Sequence, residues 1–172
     1  EPCDVIHWMR LNHDLYLITG EKEYVDEIEL SYYNAMLGAV TRDGTWGARC
    51  VRSHARNWHD LEGQCELKHQ HCCINNMPRG FMDVAQTFVT ADREGNLQVN
   101  LYSDADVTVA DAKVTIRGNF PVDNVVTVTV AGLAEGKKVD FRKPSWCPKM
   151  DVQTSQTSQT PQTSQTPQTF VL

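Results

Sequence analysis

A chain of 172 residues with 41% hydrophobic content has apolar surface enough for a packed core over most of its length. Its 22 acidic residues outnumber 16 basic ones, a net charge of -6, which argues against a broad phosphate-binding face and so against nucleic acid as a partner. No run approaches the ~20 continuous apolar residues of a membrane-spanning helix, so a membrane is not expected as a partner either; that no basic-then-apolar leader opens the chain says nothing about export. Because residue 1 is glutamate and a helical pattern begins at once, the gene product is expected to start upstream.

From Val5 to Ile18, the apolar residues Val5, Trp8, Met9, Leu15 and Tyr16 recur at helical spacing, and Gly20 stands where a C-terminal cap falls. A second stripe follows on Tyr24, Val25, Ile28, Tyr32, Ala35 and Met36. Its early acids Glu21, Glu23 and Asp26 sit where the helix dipole favours negative charge. The short link between the two predicts a helical hairpin.

Between Thr41 and His71 neither period is sustained, which predicts a long irregular segment. Asn76 then reads as the cap of a helix that takes Pro78 in its first turn and carries Phe81, Val84, Ala85 and Phe88 on its apolar face. On that reading Cys72 and Cys73 lie just before the helix. After the Arg93-Glu94-Gly95-Asn96 turn the period switches to two, through Leu97, Val99 and Leu101, then Val107 and Val109, then Val114 and Ile116. The β-branched run from Val125 to Val130 and a short run from Val139 to Arg142 bring the expectation to four to six antiparallel strands. From Gln153 to Thr169 the chain repeats Gln-Thr-Ser or Gln-Thr-Pro with nothing apolar to bury, which predicts a disordered tail. The fold class is therefore α+β: a helical part over residues 1–92, a β-rich part over 93–150 and a tail over 151–172.

The six cysteines stand at 3, 50, 65, 72, 73 and 147. Adjacent Cys72 and Cys73 are hard to bridge to each other, and four of the six histidines fall between positions 54 and 71, so metal or thiol chemistry is favoured over a disulfide framework. Reduced thiols point to a reducing compartment such as the cytoplasm. Glu1 and Cys3 are two residues apart, on one side of an extended segment, and Cys72 and Cys73 add two thiols from a distant point. Four such donors suit a tetrahedral zinc, and three sulfurs select zinc over calcium or magnesium. Spacing alone leaves three readings open: structural zinc, a catalytic thiolate, or ordinary buried cysteines. A thiol-redox pair is a further class.

His71, beside Cys72, is either a sugar ligand or a solvated side chain, and Tyr33 is either a substrate contact or a core aromatic on its helix stripe. His54, His59 and His69 read as solvated loop residues. Arg42, Arg49, Arg52 and Arg56 with Trp46 and Trp58 suit a loop over a sugar cleft, and Cys50, Cys65 and Cys147 read as structural.

A resemblance enters on these residues. Glu1-x-Cys3, the helix ending in Leu17-Ile18-Thr19-Gly20, Tyr33-Asn34-Ala35, His71-Cys72-Cys73 and Pro78-Arg79-Gly80 fall in one order with Leu97-Gln98-Val99-Asn100-Leu101-Tyr102 and Lys143-Pro144-Ser145-Trp146. Over about residues 1–147 this order resembles the β-L-arabinofuranosidase-like glycoside hydrolases, families 127 and 146. The resemblance implies the end of a catalytic (α/α)6 barrel over residues 1–92, followed by part of an antiparallel β-sandwich over 93–150. It implies Zn2+ held by Glu1, Cys3, Cys72 and Cys73, with Cys72 as the nucleophile of a retaining hydrolase of terminal β-L-arabinofuranosyl residues; His71 and Tyr33 are then the candidate substrate contacts. An arabinofuranoside-containing glycan is the implied partner. In the family the acid/base glutamate precedes the Glu-x-Cys motif, so this stretch by itself is expected to be inactive. The alternative is a non-catalytic carbohydrate-binding or structural zinc domain.

Overall fold

The computed structural model describes residues 2–40, 72–156 and 168–171, and for 72–74, 155, 156, 168 and 169 the backbone alone. The irregular segment expected over 41–71, with Cys50, Cys65 and its histidines and arginines, lies outside the described residues. The chain divides into two compact units between Gln86 and Thr87.

In the first unit, helix α1 runs from Pro2 to Thr19. Proline suits a first helical position, where its missing N–H has no intrahelical acceptor. The helix stops at Gly20, whose φ of 75° continues no right-handed helix and whose N–H donates to the Tyr16 carbonyl at 2.8 Å. One face buries Ile6, Met9, His13 and Tyr16. Trp8, Leu11 and Ile18 on another face are exposed, Ile18 to 80%.

Helix α2, Glu23–Leu30, buries Val25 and Ile28 and touches α1. It does not continue to Met36 as one helix. The backbone widens into a π-helical stretch, Ser31–Met36, and tightens into a 3-10 turn, Leu37–Ala39. The Asn34 side-chain amide donates to the Leu30 carbonyl at 2.9 Å, occupying the acceptor that the Asn34 N–H takes in an α-helix. Met36 is fully buried.

Helix α3, Cys72–Phe88, begins four residues before the expected cap at Asn76, so Pro78 lies inside it. Cys72 and Cys73 open the helix rather than precede it. Pro78 leaves the Ile74 carbonyl without its α-helical donor. Met77, Gly80 and Val84 are buried on either side of the exposed Pro78, and packing of that stripe offsets the missing bond. At Gly80 a Cβ would stand 2.8 Å from Ile6 Cγ1 and 3.0 Å from Met36 Cε, so α1 and the π stretch both press on this position.

The second unit holds two sheets. Strand β1, Val89–Ala91, turns through Asp92–Asn96 into β2, Leu97–Val99, with Gly95 at φ 84° and Asp92 Oδ1 accepting from the Asn96 N–H at 2.8 Å. β2 also pairs in parallel with β6, Val139–Phe141, so this three-stranded sheet is mixed and not antiparallel throughout as expected. The other sheet is antiparallel in the order β3-β4-β5-β8-β7, formed by Ala105–Val109, Ala112–Arg117, Thr127–Ala131, Gln168–Val171 and Gln153–Gln156. Its register stacks Ile116, Val128 and Phe170 on one buried face.

Both ends of the repeat expected to be disordered are therefore strands. Phe170 supplies the apolar side chain that the repeat lacks: it is buried opposite Val128, with its ring 4.9 Å from that of Phe141. The pairing also satisfies the outer edge of β5, whose N–H and C=O groups otherwise face solvent. Residues 157–167 lie outside the described residues.

Candidate active site

The contacts between α1 and α3 advance together along both helices. Ile6 lies against Gly80, and one turn later Arg10 Nη2 donates to Asp83 Oδ1 at 3.1 Å. The two contacts follow the same chain order, Ile6 before Arg10 on α1 and Gly80 before Asp83 on α3. At an α-helical rise, Cys3 lies about 4.5 Å before Ile6 and Cys73 about 10.5 Å before Gly80. Met36, at the end of the π stretch, meets the same two residues, Ile6 and Gly80.

Cys3 stands in the first turn of α1, 8% exposed. Cys72 and Cys73 form the start of α3, where the first N–H groups have no intrahelical acceptor and the helix dipole is positive. Such a position favours a thiolate over a thiol. Glu1, His71 and the side chains of Cys72 and Cys73 lie outside the described residues. Tyr33 is half-buried in the π stretch, its ring 5.0 Å from that of Tyr32 and tilted by 56°. Burial pushes the Tyr32 hydroxyl above its ordinary value, which keeps it a neutral donor. Among the described residues no group of three or more His, Cys, Asp and Glu side chains converges. Cys147 lies in the second unit, with Sγ 3.1 Å from the Lys149 carbonyl.

One charged cluster escaped the sequence reading. His13 and Asp83 are buried, and Arg10 bridges to Asp83 from the rim with its side chain 45% exposed. Burial lowers the His13 pKa below its ordinary value, while Asp14 and Asp83 oppose that shift. A lone acid at position 83 on the apolar stripe of Met77, Gly80 and Val84 was the available signal.

The sequence model described as "Beta-L-arabinofuranosidase, GH127 catalytic domain" matches residues 1–86. No curated protein matches the chain. Among solved structures, one titled "Glycoside hydrolase" superposes at a TM-score of 0.74 with 19% identity, covering 100% of this chain and 32% of that one. A GH127 β-L-arabinofuranosidase from Geobacillus stearothermophilus T6, Ara127N, superposes at 0.64 with 19% identity, covering 98% of this chain and 30% of its own. The chain thus spans about a third of the length of these structures, and shares with them a fold of helices followed by two sheets. With half of its residues matched by the catalytic-domain model, the chain belongs to the GH127 β-L-arabinofuranosidase family.

Proposed function

We propose that this chain is part of a retaining glycoside hydrolase of terminal β-L-arabinofuranosyl residues, with Cys72 as nucleophile and Glu1, Cys3, Cys72 and Cys73 as a zinc centre. The observation that carries the reading is the match of residues 1–86 to the family's catalytic-domain model; it is supported by Cys3 standing in the first turn of α1 and Cys72-Cys73 opening α3, two helices that touch at Gly80 and at Asp83. The donor chemistry fits: three sulfurs and a carboxylate suit tetrahedral zinc. Zinc, when bound, supplies positive charge that keeps its cysteine ligands as thiolates at neutral pH.

The start of α3 acts on Cys72 in the same sense. The Cys72 thiolate attacks the anomeric carbon as the glycosidic oxygen departs with a proton from a general acid, giving a thioglycosyl enzyme. Water, deprotonated by the same group, then displaces the sulfur from the opposite face, and two inversions return the original configuration. His71 and Tyr33 hydrogen-bond the sugar; Tyr33 stands in the π stretch three residues before Met36, whose side chain lies against Gly80. Irregular helical turns of this type are frequent at functional sites. Residues 1–92 form part of an (α/α)6 barrel and 93–150 part of a β-sandwich. In support, α2 packs on α1, and α1 carries apolar residues on a second, exposed face.

Zinc stoichiometry tests the reading first. Near one zinc per chain, lost in Cys3→Ser and in the Cys72→Ser, Cys73→Ser double variant, is the expected result. A folded chain without zinc overturns the centre. Covalent labelling by an arabinofuranosyl-type inactivator is then followed in a protein extended to the length of its relatives. Label abolished by Cys72→Ser supports the hydrolase; zinc and sugar binding with no label in the unsubstituted protein supports a non-catalytic binding domain instead.

A further inference from the structure

The ion pair of buried Asp83 on α3 with half-exposed Arg10 on α1 lies outside the proposed centre, yet it bears on how that centre is assembled. Asp83 is 8% exposed and accepts from Arg10 Nη2 at 3.1 Å, and its charge also reaches His13, three residues along α1 from Arg10. Sliding α3 along α1 by one turn, about 5.4 Å, would carry the carboxylate away from Arg10. It would also bring a residue with a side chain to the place where Ile6 and Met36 now press on Gly80. Both contacts thus favour the present register of the two helices.

Cys3 lies seven residues before Arg10 on α1, and Cys73 lies ten before Asp83 on α3. The first turns of α3 have one backbone hydrogen bond fewer because of Pro78, so their placement leans on contacts further along the helix. We propose that Asp83 is a positioning residue, whose bond to Arg10 holds α1 and α3 in the register that aligns Cys72 and Cys73 with Cys3. The inference rests on the zinc-thiolate reading for its consequence, but the alignment itself can be measured without metal.

The test compares the chain with its Asp83→Ala, Asp83→Glu and Arg10→Ala variants in two readouts. One is cross-linking of Cys3 to Cys72 or Cys73 by a short bis-thiol reagent in metal-free protein, mapped by mass spectrometry. The other is zinc affinity by competition with a chelator. Asp83→Ala and Arg10→Ala are expected to reduce the cross-link and to weaken zinc binding by about tenfold at unchanged helix content, with Asp83→Glu recovering most of both. If Asp83→Ala fails to fold, Arg10→Ala, at a half-exposed position, decides. Cross-linking and affinity equal to the unsubstituted chain in folded Asp83→Ala and Arg10→Ala overturn the proposal and leave the zinc reading standing. A chain that binds no zinc but whose cross-link depends on Asp83 overturns the zinc reading and supports the alignment.

Discussion

Arg142, a side chain with no solvent exposure, donates from Nε to the main-chain carbonyl of Asn100 at 2.8 Å. The exchange is reciprocal along the chain: the Arg142 N–H donates to the Val99 carbonyl at 2.9 Å, and the Tyr102 hydroxyl donates to the Arg142 carbonyl. Two motifs about 40 residues apart in sequence are thereby locked along the parallel β2–β6 pair. Arg142→Met keeps much of the volume and removes the charged donor, leaving the Asn100 carbonyl without that bond. The expected loss is about 2 kcal/mol, read from the urea unfolding midpoint of the second unit. An unchanged midpoint would show that the bond adds nothing net.

Gly80→Ala tests the closeness of α1, the π stretch and α3. The added Cβ would lie 2.8 Å from Ile6 Cγ1, and overpacking of this kind costs about 1–3 kcal/mol. Ile6→Ala in the same chain removes the opposing Cγ1 and Cδ1, so the double variant should cost less than the two single losses added. Additive effects in the double variant would mean that the two positions are not in contact.

Phe170 is the anchor of the last strand. Phe170→Ala removes a buried ring opposite Val128 and beside Phe141, at an expected cost of about 3 kcal/mol, and should raise amide exchange in β5 as well as β8. Exchange in β5 that stays slow would show that its outer edge does not depend on the tail.

His13 makes the first unit sensitive to acid. Its folded pKa lies below the ordinary 6.5 because burial disfavours the imidazolium, against the pull of Asp14 and Asp83. Between the two values the unfolded chain binds a proton that the folded chain does not. Its contribution is thus complete above pH 6.5 and is lost as pH falls through the depressed folded value. Thermal melts should show Tm falling over that window, and His13→Gln should flatten the fall. A slope unchanged in the variant would place the titration elsewhere.

Short-range signals were legible in the chain itself. The end of α1 at Gly20 follows from one residue able to take a positive φ, and the strands on Val107, Val109, Val114, Ile116, Val128 and Val130 follow from alternation that any half-buried sheet imposes. Family membership was legible for the same reason, since Glu1, Cys3, Cys72 and Cys73 stand in motifs of a few residues each. Tertiary structure decided what depends on partners far away in sequence. Helix α3 extends back to Cys72 through Pro78 because burial of Met77, Gly80 and Val84 outweighs one lost hydrogen bond. Strand β6 chooses β2 as a parallel neighbour, and a polar repeat pairs at both ends because Phe170 finds a buried place against Val128 and Phe141. Asp83, an isolated acid on an apolar stripe in sequence, becomes the partner of Arg10 only when α1 and α3 meet, because the two residues are far apart along the chain.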